Sequence, residues 1–439
     1  MSDWHQATLA HSIQSLDAGV SVNAEDRPHG AGEIGVLKTS ALSNGAFHPG
    51  QNKTIVPGER RLAAEPVLED SVLVSRMNTP ALVGASCYVA DAQPTLFLPD
   101  RIWQLKPRDR SALNMRWLSF VLQTAQFRRY VETHASGTSG SMKNLPKARL
   151  LDLPVSYPEV AEQSKIALVL DTLDTAIRET EAIIDKLKAV KKGLLHDLLT
   201  RGIDAHGELR PPQAEAPHLY KASPLGWIPM NWEVVTLESI SGNVTSGSRD
   251  WARFYAESGA LFVRIGNLTR EHINFRYDSV IFVRPPANGD GQRTRLEAGD
   301  ILISITADLG IVGVVPEGMG EAYISQHVAL VRANEAKVNP RFVGHFLAGP
   351  AAQQHLSKLN DAGAKAGLNL PTVRNLPSVL PDRVEQDLIA ARLDALDKRI
   401  QNAKSERAKL KKTKSGLMDD LFTGRVRVTP LLPAEAPAP

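Results

Sequence analysis

Two short loops of small and basic residues, SGTSGSMK (Ser136 to Lys143) and DAGAKAGL (Asp361 to Leu368), each run into an Asn-Leu-Pro triplet. Backbone N–H groups in such loops can approach a phosphate closely. A single loop of this kind is usually a plain turn, and it is the recurrence that makes phosphate contact worth following. The segments that carry the loops, residues 1–150 and 205–375, hold 32 basic side chains, of which 23 are Arg. The planar fork of Arg suits guanine edges and phosphates, although a GC-rich genome would produce the same excess. Net charge is only +3 and no segment forms a basic tail.

Other chemistry is missing from the sequence. There is no GxxxxGK[ST] phosphate loop and no Gly-rich strand–turn–helix that would cradle a nucleotide or methyl donor. His29, His48 and the other histidines lack metal-ligand spacing, and the single cysteine, Cys87, cannot build a Cys-based zinc site or an internal disulfide. Asp70 and Asp300 stand at matching strand starts (LEDSVLVSR, EAGDILISI). They read as turn or cap residues, since no cluster of acids and Lys follows that would make them nuclease carboxylates. No catalytic set and no metal site are therefore expected.

The elements that would position the loops repeat. LPVSYPEVAEQSKIALVLDTLDTAI from Leu153 and LPSVLPDRVEQDLIAARLDALDKRI from Leu376 align without a gap at an offset of 223 residues. Apolar residues in the first copy alternate at four and three: Ile166, Leu170, Leu173, Ile177, Ile184, Leu187, Leu194 and Leu198. The second copy gives Ile389, Leu393, Leu396, Ile400, Leu410, Leu417 and Leu421. This is a heptad seam, and two matching stripes in one chain are most simply buried against each other. An antiparallel pair would place two similar heads in twofold relation, matching the twofold symmetry between DNA strands. Its span of roughly 50 Å corresponds to about 15 base pairs. Lys191 and Lys414 fall at equivalent seam positions and are expected to reach out to solvent where the pair has splayed.

The heads repeat more loosely. Trp4, Thr8, Leu9 and Gly19 match Trp232, Thr236, Leu237 and Gly247. Short β-rich runs alternate with polar loops, and a helix is expected near 111–134 and 339–358. The fold class expected is α+β: two globular domains and two long helices forming an antiparallel coiled coil, with an internal pseudo-twofold repeat. The boundaries drawn are a first recognition domain at 1–150, a central spacer helix at 151–204, and a second recognition domain at 205–375 whose residues 205–230 form a linker. A C-terminal spacer helix at 376–428 and a disordered tail at 429–439 complete the chain. No run of about 18 apolar residues or secretory signal is present, and one cysteine suits a reducing cytoplasm.

This pattern resembles the specificity (S) subunit of type I restriction–modification systems. The resemblance covers nearly the full chain. It rests on the LP…P…EQ…I…LD.LD..I helix starts, the helix ends GLLHDLLTRG and GLMDDLFTGR, the W…TL head opening after GWIP, and the GDILIS strand. The first head departs from it, lacking a GWIP lead and carrying LEDSVLVSR in place of GDILIS. The resemblance implies two target recognition domains, each reading half of a split sequence in double-stranded DNA. It implies docking of two methyltransferase (M) subunits along the helices and, through that core, of restriction (R) subunits. S-adenosylmethionine, ATP and Mg would then belong to those partners, with no cofactor in this chain.

For base and phosphate contact the candidates are polar residues on loops and at strand ends. In the first head these are Lys38, Ser40, Ser75, Arg76, Ser139, Lys143 and Asn144; in the second, Ser246, Arg249, Arg253, Arg264, Asn267, Ser304, Lys365 and Asn369. Alternatives are a specificity subunit of a methylation-only system and a coiled-coil adaptor whose heads bind proteins. A methyltransferase or nuclease with its own recognition heads would need a cofactor site.

Overall fold

The computed structural model describes residues 4–137, 141–285, 289–361 and 368–432. The chain divides into two compact units: Met1–Thr180 with Glu406–Pro439, and Glu181–Ser405. Each unit thus joins one head to the start of its own long helix and the end of the other.

The two heads share one sheet plan. In the first, four antiparallel strands run in the order Ile13–Ala18, Ile102–Pro107, Ser71–Ser75, Ser86–Val89. In the second the order is Ser241–Ser246, Val328–Ala333, Ile301–Ser304, Val312–Val314. The central strands Ser71–Ser75 and Ile301–Ser304 are rich in Val, Ile and Leu and buried on both faces, because successive side chains point to opposite sides. Val72 and Val74 enter the core that takes in the long helices, while Leu73 enters a core beneath a second sheet. Ile301, Ile303 and Leu302 divide in the same way in the second head. The second sheet is mixed in both: Gly35–Leu37 pairs parallel with Gln93–Phe97, and Ala260–Val263 pairs parallel with Ala322–Ile324.

Each helix expected near 111–134 and 339–358 is two helices. Met115–Val121 is followed by Ala125–His134, and Pro340–Ala348 by Pro350–Asp361. Thr124 starts a new helix by accepting from Phe127 N–H. Pro350 has no N–H to continue the preceding helix and restricts Gly349. The stretch 205–230 is not an open linker. Strands Tyr220–Ser223 and Gly226–Pro229 form a hairpin, and the buried Tyr220 donates its hydroxyl to Pro211 O at 2.6 Å. In the tail, Thr429–Leu431 forms a 3-10 turn, and 433–439 lie outside the described residues.

The long helices are Val160–Thr200 and Arg383–Phe422. Pro158 and Pro381 precede them, where a missing N–H costs little. Of the seam residues, Ile166, Leu170, Ile177, Ile184, Leu198, Ile389, Leu393, Leu396, Ile400 and Leu421 are buried. Leu173, Leu187, Leu194, Leu410 and Leu417 are half-buried. Full burial of a Leu or Ile contributes about 1.5–3 kcal/mol. Within each unit the two helix segments run antiparallel: Glu162 meets Arg427 and Asp174 meets Lys414, as Glu385 meets Ile203 N–H and Asp397 meets Lys191.

The seam lysines therefore do not reach into solvent. Lys414 Nζ lies 2.6 Å from Asp174 Oδ1, and Lys191 is ion-paired with Asp397. Both acids are the second Asp of LD.LD, and the partner helix supplies a charge that holds each ammonium inside the seam.

The other repeated polar residues also have duties. Glu162 accepts from the indole of Trp4 and from the Arg427 guanidinium, and Glu385 does the same for Trp232 and Arg210. Gln163 Oε1 accepts from Asn114 N–H at 2.9 Å and Gln386 Oε1 from Asn339 N–H at 2.8 Å, so each glutamine grips the start of a head helix. Arg116 pairs with Asp171, and Arg341 with Asp394. Sheet, head helix and long helix are locked together in both units by the same four contacts.

Candidate nucleic-acid interface

The polar faces of the heads are built where the two sheets approach. Gly247 sits so close to the turn after Ala322–Ile324 that a Cβ would lie 2.3 Å from the Ser325 carbonyl carbon. The matching Gly19 would place a Cβ 1.7 Å from Leu98 O. Only glycine allows this approach, which fixes the turns Ser325–His327 and Pro99–Arg101 against their sheets. The two turns correspond bond for bond: Val328 N–H reaches Ser325 O as Ile102 N–H reaches Pro99 O, and Ile305 N–H reaches His327 O as Arg76 N–H reaches Arg101 O.

In the second head the turn forms one wall of a cleft of about 760 Å³. Its polar lining includes Arg249, Arg264, Thr306, Ser325, Gln326 and His327 together with the carboxylate of Asp250, beside Trp251, Tyr255 and Phe262. Trp251 stacks on Phe262 with centroids 5.4 Å apart, giving the cleft an apolar floor. Arg293 supports the loop of Arg249 through Thr245 Oγ1, Ser246 O and Ser248 Oγ. Two polar atoms at the cleft are buried without a partner, Ser325 Oγ and Arg264 Nε. Unpaired buried polar groups are costly and call for an explanation. Asp250 and Ala307, at and beside the cleft, have φ of 65° and 57°, backbone states in which a non-Gly residue stores strain.

In the first head three of the candidates, Arg76, Lys143 and Asn144, share one edge. Lys143 and Asn144 form a short strand paired with Met77–Asn78, and Leu145 N–H donates to Arg76 O at 2.8 Å. The Arg76 guanidinium lies 5.5 Å from the Trp103 ring centroid. Arg76 Nε and Asn144 Oδ1 are buried and unpartnered. In the second head Leu368 N–H makes the matching bond to Ile305 O at 2.9 Å. Arg76, Lys143 and Asn144 thus share a site equivalent to the edge where Asn369 stands.

The remaining candidates fall elsewhere. Lys38 is ion-paired with Asp26 at 2.8 Å, and Ser40 is exposed, donating to Gln51. Ser246 is half-buried and Arg253 is exposed, its guanidinium 4.8 Å from the Phe254 ring. Asn369 is exposed and caps the helix Leu370–Arg374 through Thr372 N–H. Three candidates are corrected, because they are sealed inside the heads. Ser75 is buried and accepts from Asn78. Ser304 is buried, bonded to Asp308 O and Ile311 N–H. Asn267 spends its amide on Arg264 N–H, Arg276 O and Ser279 O. These are loop-shaping residues. Ser139 and Lys365 lie outside the described residues.

Sequence reasoning missed Thr306, Ser325, Gln326 and His327 in the second head, and Asp100 and Arg101 in the first. A signal was present: Leu98-Pro-Asp-Arg-Ile and Ile324-Ser-Gln-His-Val keep apolar residues at both ends of a three-residue turn.

Asp300 is a cap. It accepts from Glu297 N–H at 2.7 Å and takes Arg332 in a two-pronged ion pair at 2.9 and 2.8 Å. Burial pushes the Cys87 thiol up to about 12, which leaves it inert as a nucleophile. Among the described residues no group of three or more His, Cys, Asp or Glu is placed to hold a metal ion, and no helix is long and apolar enough to cross a membrane.

The type I restriction modification DNA specificity domain matches the chain twice, at residues 16–189 and 229–412. The type I restriction enzyme MjaVIII specificity subunit of Methanocaldococcus jannaschii is 24% identical over 303 residues, covering 68% of each chain. The putative MjaX specificity subunit of the same organism is 25% identical over 362 residues, covering 81% of this chain and 78% of the relative. The solved S subunit of the type I restriction–modification system of M. genitalium shares the fold, with a TM-score of 0.61, 16% identity and 96% of both chains covered. Two matches that take in both heads and most of both long helices show that this chain belongs to the type I restriction–modification specificity subunit family.

Proposed function

We propose that the chain is a non-enzymatic DNA-recognition subunit that reads a bipartite duplex, one half-site per head. The observation that carries this reading is the pair of matching turns beneath Gly19 and Gly247, each bordered by unpartnered polar atoms. The polar side chains that these turns and their neighbouring loops present, Arg249, Gln326 and His327 in the second head and Arg101 in the first, suit base edges and phosphates, which offer donors and acceptors in fixed patterns.

The long helices would dock two methyltransferase subunits and, through them, restriction subunits, in a cytoplasmic complex. S-adenosylmethionine, ATP and Mg would be bound by those partners. The test is to map methylated adenines genome-wide in cells carrying the methyltransferase partner, with and without this chain. A two-part methylated sequence that vanishes with the chain supports the reading. Methylation by the purified chain alone, or unchanged methylation in its absence, refutes it. Binding to duplex DNA should also weaken steeply with salt, as phosphate contacts release counterions.

A further inference from the structure

The cleft of the second head holds an ordered polar chain to which no role has been given. Gln326 Nε2 lies 3.0 Å from His327 Nε2, and His327 Nδ1 lies 2.8 Å from Thr306 Oγ1. An amide nitrogen only donates, so His327 Nε2 is the acceptor, the ring proton sits on Nδ1, and Thr306 Oγ1 receives it. With the amide nitrogen facing the ring, the chain runs from Gln326 through His327 to Thr306. Gln326 is half-buried at the cleft, with Oε1 and one amide hydrogen left unused. Beside it the Ser325 hydroxyl is 4% exposed and unpartnered.

One acceptor next to one donor is a restrictive pattern. In the major groove adenine offers the N6 amino donor and the N7 acceptor, which pair with an amide in two bonds. Guanine offers two acceptors, for which Gln326 has one free hydrogen. Cytosine offers a donor alone, and thymine an acceptor beside a methyl group. We propose that Gln326, oriented by His327 and Thr306, reads an adenine in the half-site of the second head. The first head cannot make the same contact, since Asp100 and Arg101 stand at the matching positions of its turn. This rests on the DNA-reading function proposed above and adds the base to it.

The test selects bound duplexes from a randomised library with the full chain and with Gln326→Ala and Gln326→Glu. The native chain should select a two-part sequence. In Gln326→Ala one adenine in one half should lose preference by about tenfold or more. In Gln326→Glu that position should move toward cytosine, whose amino group a carboxylate accepts. The other half should be unchanged in both. The proposal is overturned if both variants keep the adenine, or if both halves weaken together, which would make Gln326 a scaffold residue. Failure of the native chain to select any sequence would instead sink the DNA-reading function itself.

Discussion

Among the described residues of the second unit, Glu385 is the most heavily used carboxylate. It accepts from Ile203 N–H at 2.9 Å, from Trp232 Nε1 at 3.1 Å and from both arms of Arg210 at 2.5 and 3.0 Å. Its side chain is 4% exposed and that of Arg210 12%. Glu385→Ala would leave a buried guanidinium unpaired, and a loss of about 3–5 kcal/mol is expected by urea unfolding. Glu162→Ala should cost less, because Arg427 is 34% exposed and water can replace its partner. Equal losses would contradict this assignment.

Asp394 gives a pH signature. Burial works to raise its carboxyl, but hydrogen bonds from His345 and Arg341 outweigh that and hold it at about 2, below the ordinary 3.8. The His345 ring is itself held low by burial, against the pull of Asp394. A carboxylate depressed on folding stabilises the native state above its unfolded value, and that stability is lost as pH falls through the folded one. Native protein should therefore be more stable than Asp394→Asn at pH 6, with the gap closing between about pH 4 and pH 2 in thermal melts.

The long helices owe their pairing to the apolar seam and their register to two charges. A Lys on one helix meets the second Asp of LD.LD on the other, once in each unit. Breaking a buried pair from one side costs far more than replacing both partners with apolar residues of similar size. Asp397→Leu alone should destabilise the second unit by about 3–5 kcal/mol, while Asp397→Leu with Lys191→Leu should recover most of it. Additive losses in this double-mutant cycle would mean the two charges act separately. At the sheet edge, Gly247→Ala would drive a Cβ into the Ser325 backbone. A loss of about 1–3 kcal/mol is expected, with weakened recognition of one half-site only.

For the whole molecule, each compact unit is assembled from distant stretches of chain. The first takes Met418, Leu421 and Val428 into its core beside Trp4, Leu9 and Trp117. Ending the chain after Phe422 removes Val428 and Arg427 while leaving the first head's sequence intact. Calorimetry should then show the first unit melting at lower temperature and the second unaffected. The reverse outcome would mean that the post-helical segment contributes nothing to the first core.

The sequence by itself determined the repeat, the seam and the family, because a heptad period and an aligned set of polar residues are local patterns set by backbone geometry. It also marked Gly19 and Gly247 as equivalent before any reason for glycine was visible. What it left open depended on partners far along the chain. Whether Lys191 faces water or Asp397, and whether Ser75 and Ser304 are surface or core, is decided by which element covers them. The polar turn at Ser325–His327 lies in a segment that looks like any strand connection. Only tertiary structure sets it beneath Gly247, ties Gln326 to His327 and Thr306, and leaves the Ser325 hydroxyl without a partner. Hydrogen-bond satisfaction is a property of three-dimensional neighbours, which no local sequence pattern encodes.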